Sequence, residues 1–240
     1  MHTLSLILIA CLLSGIGLAP CPARASEPKA PDELVTRIQS TYESLSAFDA
    51  KFVQVLRNTA SGEEEERSGL IFFKKPRLIR WETTMPEKEL LIVGSKEVWD
   101  YFDDDKIAYK YTVDRVLQSK TMIKFISGQA RLDEDFWVTR EASKPGEAPE
   151  GLVKLNLTPK EPEPQLVQAY AWADPKTGLV RKILLQDFYG NENELSFADI
   201  TLNPKQPDDL FAFTPPAGVE IFDNTAKDAP MTERRPGGKP

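Results

Sequence analysis

Past residue 25 this 240-residue sequence has no cysteine and no histidine, because Cys11, Cys21 and His2 all lie in the first stretch. With that stretch removed, disulfides, thiolate or imidazole metal centres, a cysteine nucleophile and a Ser-His-Asp triad are excluded together. The G-x-x-x-x-G-K-[ST] and G-x-G-x-x-G patterns are also missing, so nucleotide binding has no support. No cluster of five Lys/Arg occurs and the formal charge is −7, which argues against nucleic acid and against adhesion to anionic membranes.

The first 25 residues carry an apolar run from Leu4 to Leu18 and then Ala23-Arg24-Ala25, the form of a secretory signal peptide cleaved before Ser26. Its n-region, Met1-His2-Thr3, departs from the pattern in lacking Lys and Arg. A transmembrane anchor wants about 20 apolar residues, and Pro20 and Pro22 cut this run short. A lipoprotein signal, with a small apolar box before a Cys that becomes lipidated, fits less well. Leu8 to Cys11 leaves too short an h-region, and Leu18 to Cys21 puts Pro20 inside the box. Cleavage would remove one Arg and no acid, taking the charge from −7 to −8. The remaining chain is long enough to be held by its core alone. Over all 240 residues, 41% hydrophobic and 28% charged is the composition of a globular domain.

After a polar linker from Ser26 to Ala30, Pro31-Asp32-Glu33 reads as a helix start, and Leu34, Val35, Ile38, Tyr42 and Leu45 place one apolar stripe on an amphipathic helix. From Phe48 the period switches to two. Strands are expected at Phe48 to Arg57, Arg67 to Lys74, Leu78 to Thr83, Glu89 to Val93, Val98 to Phe102 and Ile107 to Tyr111, with short turn-rich connectors that allow hairpins but not parallel crossovers. Ser119 to Ile126 breaks this rhythm and reads as a second, short helix. Strands resume at Phe136 to Arg140, Gly151 to Leu157, Leu166 to Ala173, Leu179 to Asp187 and Glu194 to Leu202. Phe211 and Phe213 are the last apolar pair, and the chain past Phe222 reads as a disordered polar tail. The loop Ser143 to Glu150 is the one stretch resembling an interdomain linker.

The carboxylate clusters Glu63 to Glu66 and Asp103 to Asp105 fall at expected hairpin turns without the spacing of a hard-cation loop. They read as solvated loops, so no metal, cofactor or catalytic group is assigned and the chain is read as a non-enzyme. What stands out is apolar surface. In Leu70 to Phe73 and Leu90 to Val93 consecutive residues, which point to opposite faces of a strand, are all apolar. A sandwich would explain this, and so would a curved sheet whose concave side is lined for an apolar ligand.

These residues resemble a known family, the periplasmic outer-membrane lipoprotein carrier proteins of LolA type. The resemblance rests on an ordered set: "FDAKFVQ" at Phe48 to Gln54, Gly69 in "RSGLIFFKKP", "KKPRLIRWE" at Lys74 to Glu82, Pro86, "VWDY" at Val98 to Tyr101, "LTPK" at Leu157 to Lys160, "DFYGNENELSF" at Asp187 to Phe197 and "FAFTPPAGVEI" at Phe211 to Ile221. It implies a mainly β fold with helices: an unclosed, strongly curved antiparallel half-barrel whose N-terminal and short central helices form a lid over an apolar cavity. With it the chain divides into a signal peptide (1–25), a carrier domain (26–222) and a polar tail (223–240). It further implies a monomeric periplasmic chaperone for triacylated lipoproteins, loaded by an inner-membrane ABC-type lipoprotein-releasing transporter and unloaded by an outer-membrane receptor.

Carried over by position, the resemblance assigns Phe52, Ile79, Trp81, Leu91 and Tyr101 to the cavity, and Ile38 and Tyr42 to the lid side. Lys75 stands where the family usually has an Arg that bonds the lid's backbone carbonyls, and it lacks the planar five-donor fork. Three other readings remain open: an outer-membrane lipoprotein receptor of the same fold, a lipid-sensing domain of an envelope-stress regulator, and a cell-envelope hydrolase.

Overall fold

In the computed structural model, residues 32–114 and 131–226 are described. The expected central helix at Ser119 to Ile126 and the expected signal peptide lie outside them. The N-terminal helix, α1, spans Glu33–Ser44. Asp32 caps it by accepting from the Leu34 N–H at 2.8 Å, satisfying one of the free first-turn donors. The helix stops at Leu45, whose N–H bonds the Thr41 carbonyl at 3.2 Å.

Six strands follow as a meander: β1 (Ala47–Arg57), β2 (Glu64–Lys74), β3 (Leu78–Met85), β4 (Glu89–Val93), β5 (Glu97–Phe102) and β6 (Ile107–Thr112). A one-turn helix, α2 (Leu132–Asp135), leads into a second meander of β7 (Phe136–Glu141), β8 (Val153–Pro159), β9 (Gln168–Ala173), β10 (Val180–Gln186) and β11 (Glu192–Leu202). The last strand, β12, is Glu220–Asp223. The order β12-β6-β5-β4-β3-β2-β1-β11-β10-β9-β8-β7 joins the two meanders through β1 and β11 and leaves β12 and β7 at the edges.

That sheet cannot be flat. Twelve strands about 4.8 Å apart would span roughly 50 Å, yet residues from β1 to β11 share one apolar cluster with α1. The sheet is therefore strongly curved, unclosed, and wrapped around the helix. Register assigns the concave face: Phe73 opposes Ile79 and Ile79 opposes Val93, while Ile71 opposes Trp81 and Trp81 opposes Leu91. On the other side of the seam Phe52 opposes Phe197, Leu195 opposes Ile183, and Ile183 opposes Ala171.

The opposite face explains the strands that are apolar on both sides. Leu90, Ile92, Trp99, Tyr101 and Ala108 form a separate cluster with Phe213 and Val219. The chain after β11 runs across this convex patch, bringing the Phe213 ring to 5.8 Å from Trp99 and 5.3 Å from Tyr101. A second convex patch is covered by the loop that resembled a linker. Trp172 is fully buried, its indole N–H 3.2 Å from the Ser143 hydroxyl. The ammonium groups of Lys182 and Lys154 sit 4.9 Å and 5.3 Å from the ring. Glu147 holds both, through its carboxylate to Lys154 and its backbone carbonyl to Lys182.

Several strand expectations need correction. Glu64 to Glu66 are in β2, not in a turn, because the ladder to β1 continues as far as Arg57↔Glu64 and Arg57 also pairs with Glu192 and Glu194. The sheet is not purely antiparallel, since β12 adds to β6 in parallel, a pairing made possible by the long crossing segment that precedes it. The ordered chain also passes Phe222: Asp223 pairs with Lys110, and the N–H of buried Asn224 bonds the Lys110 carbonyl.

Candidate functional site

The concave face carries few polar groups where α1 crosses it. Leu34, Val35 and Ile38 are buried against the sheet, and Tyr42 packs at the margin. Aromatic rings line the floor beneath, with Phe48 and Phe73 at 5.5 Å and Phe52 and Trp81 at 4.7 Å between centroids. Between α1 and β8 to β11 the packing is incomplete, leaving an apolar pocket of about 40 Å³. It is bounded by Ile38, Tyr42, Leu132, Ala171, Ile183 and Phe197, among others. Preformed small-molecule sites run to about 300–1,000 Å³. A long apolar ligand therefore does not fit the pocket as it stands.

The helix is apolar below and held by polar contacts around its rim. At its start the Arg140 guanidinium of β7 grips Asp32 in a two-pronged pair, Nε to Oδ2 at 2.6 Å and Nη2 to Oδ1 at 2.7 Å. In its middle Arg37 donates to the carbonyls of Pro175 (2.9 Å) and Lys176 (3.1 Å), and the Thr41 hydroxyl donates to the Thr177 carbonyl (2.8 Å). This approach of the β9–β10 turn requires Gly178: at φ +72° any Cβ there would lie 2.9 Å from the Arg37 carbonyl oxygen. At its end the Lys75 ammonium, on the β2–β3 turn, donates to the Glu43 carbonyl at 2.6 Å. An ammonium at that position also faces the negative end of the helix dipole.

Two titrating groups mark the clamp. The Arg140 hydrogen bond holds the Asp32 carboxyl below its ordinary value, with help from the Leu34 N–H and against the effect of burial. Burial pushes the Tyr42 phenol up to about 12, so it stays neutral at physiological pH. A folded-state pKa that is lowered contributes stability above the unfolded value, lost as pH falls through the folded one. The Asp32 contact should thus hold the helix at neutral pH and fail only below about pH 4. In an acid titration followed by uptake of a fluorescent apolar dye, the native chain should show a rise there. Asp32→Asn should already be raised at neutral pH and lack that step.

Among the expected site residues, the fold brings Ile38, Tyr42, Phe52, Ile79, Trp81 and Leu91 into one cluster. Tyr101 is a correction. It opposes Leu90, not Leu91, and lies on the convex face under Phe213, its hydroxyl donating to Asp103 at 2.7 Å. The pocket itself lies mostly over the second meander, away from the strands that the family resemblance assigns to the cavity. The missed signal was "QAYAWA": Ala169, Ala171 and Ala173 point to the concave side and are small, while Tyr170 and Trp172 point away.

The sequence and fold are similar to those of known proteins. A 29% identical outer-membrane lipoprotein carrier protein of Nitrosomonas europaea aligns over 90% of this chain and 98% of its own. One of Methylococcus capsulatus is 27% identical over 79% of this chain and 87% of its own. An uncharacterized conserved protein of Thermus thermophilus, solved as a crystal structure, has a similar fold at 14% identity, with a TM-score of 0.51, over 80% of this chain and 98% of its own. Residues 43–214 match the profile described as outer membrane lipoprotein carrier protein LolA, and the chain belongs to that family.

Proposed function

We propose that this chain is a periplasmic chaperone that takes up the acyl chains of lipoproteins released from the inner membrane and carries them to an outer-membrane receptor. The observation that carries this reading is the pairing of a continuous apolar interior with a helix held over it by polar contacts at its rim. Burying methylenes is worth about 0.8 kcal/mol each, so triacylated cargo needs such cover in water. An escort must also release it. Contacts that re-form when the helix closes would favour release, which a fully apolar seal would not. On this reading residues 1–25 are a cleaved signal peptide, and the carrier domain begins at residue 26 and runs past Phe222 to the end of β12 before the tail. An ABC-type inner-membrane transporter loads the carrier, and no chemistry is performed by the carrier itself.

The deciding experiment adds purified Ser26 to Pro240 to spheroplasts making a labelled lipoprotein and separates the supernatant by size. Label eluting as a soluble complex with this protein is the expected result. Label left in the membrane, with a compatible transporter present, would sink the reading. The same assay probes Lys75: Lys75→Leu removes a bond of the closed form alone, so cargo should be loaded normally but passed to the receptor roughly several-fold more slowly. Unchanged delivery would show that Lys75 is no latch.

A further inference from the structure

Three neighbouring hairpin turns are tied into one surface: 58–63 (β1–β2), 160–167 (β8–β9) and 187–191 (β10–β11). The Thr59 N–H donates to Asn191 Oδ1 at 3.0 Å and its hydroxyl to the Gly190 carbonyl, while the Phe188 N–H donates to the Pro164 carbonyl at 2.9 Å. Within the last turn the Asp187 carboxylate accepts from the Tyr189 N–H, the Asn191 N–H and the Asn191 amide, each at 2.9 Å. The turn is therefore held in one shape before anything binds. It presents Phe188 and Tyr189, 73% and 77% exposed, with their rings edge to face at 5.7 Å.

The surrounding charge is mostly acidic, and Arg57 beside the first turn is taken up by Glu64, Glu192 and Glu194. Glu63, Glu161 and Glu163 are exposed on the adjoining turns. The one cation of the three turns, Lys160, is turned away to the Asp133 carbonyl and the Trp137 ring. Aromatic anchors carried on a preformed turn give binding large increments, since little backbone freedom is lost on docking. The acidic surround repels anionic lipid headgroups and attracts a basic protein surface.

We propose that this tip is a docking surface for a protein with an apolar socket rimmed by Lys and Arg, into which Phe188 and Tyr189 insert. Given the proposed carrier function, on which this rests, the partner is one of the two membrane proteins that load or unload the chain. The site is distinct from the cavity, which lies under α1.

The test immobilises the purified lipoprotein-releasing transporter and, separately, the purified outer-membrane receptor of the same bacterium, and measures binding of the cargo-free protein. Phe188→Ser with Tyr189→Ser should weaken binding to one of them by roughly tenfold or more. Glu161→Lys with Glu163→Lys should weaken it too, and wild-type affinity should fall as salt is raised. Native melting and undiminished uptake of an apolar dye would show that fold and cavity are intact in the variants. Equal binding by wild type and the aromatic variant overturns the proposal, as does wild type binding neither protein. Binding to phosphatidylethanolamine/phosphatidylglycerol vesicles that the aromatic variant loses would assign the tip to the membrane instead, and also overturns it. Lipoprotein transfer scored in parallel keeps the two readings apart, because docking without transfer defeats the carrier and leaves the tip standing.

Discussion

Gly69→Ala should be the most damaging conservative substitution in the chain. Gly69 faces Phe52 on one side and Thr83 on the other, beside an irregularity between Ser68 and Gly69. A Cβ built there would lie 1.8 Å from the Glu82 carbonyl oxygen, 2.8 Å from its carbon and 3.1 Å from a Phe52 ring carbon. The obstacle is backbone, so no rotamer relieves it, and β3 can retreat only by giving up its ladder to β2. We expect a loss of roughly 3 kcal/mol or more, at the upper end of overpacking costs, read as a melting temperature about 6–12 °C lower or as insoluble protein. A soluble Gly69→Ala protein melting within about 2 °C of the parent would mean that β2 and β3 do not approach this closely.

Fastening α1 to the β9–β10 turn should abolish carriage without unfolding anything. Thr41 and Thr177 touch through a 2.8 Å hydrogen bond. Since no cysteine follows Cys21, Thr41→Cys with Thr177→Cys provides the sole thiols of a chain starting at Ser26. Bridging them with a short bis-maleimide should leave the melting curve at or above that of the unbridged variant. Lipoprotein uptake should fall by roughly tenfold or more, because a state that cannot open contributes no binding-competent population. The unbridged double variant, which loses two exposed hydrogen bonds, from the Thr41 hydroxyl to the Thr177 carbonyl and from the Leu179 N–H to the Thr177 hydroxyl, should keep most of its uptake. Full uptake by the bridged protein would show that cargo enters without α1 leaving this side of the sheet, and the pocket under Ile38 and Tyr42 would lose its assigned role.

The legible parts of this fold are those where one face of an element is wet. In α1 a single stripe, Leu34, Val35, Ile38, Tyr42 and Leu45, had one direction in which to be buried, and each of these residues packs inward or at the margin. The hairpins announced themselves by turn residues between period-two segments. Where both faces are covered, parity is lost. In β5 five of six residues are buried, and nothing local says that Val98 faces α1 while Tyr101 faces Phe213. That side is decided by a segment more than a hundred residues later, so position along the chain alone puts Tyr101 on the wrong face. The parallel edge strand β12 was illegible for the same reason, since Glu220 to Asp223 acquire a partner only after the chain has crossed the convex face. Charges misled where they pair across strands, as Glu64 does with Arg57. The cavity floor was hard to see because its signature is smallness: Ala171 draws no attention until its neighbours are known.

The seam between β1 and β11 has a mechanical consequence. In a closed barrel, strand number and stagger together set the radius, so the girth can change only if hydrogen bonds break. This sheet ends at β12 on one side and β7 on the other, with its two meanders sewn together at the middle. An open sheet of this kind is free to act as a spring clip instead of a hoop. Its jaws can widen by small changes of twist shared among many strand pairs, and every ladder survives the flexing. Passengers of different bulk could then be gripped by one molecule, the fit being set by elasticity.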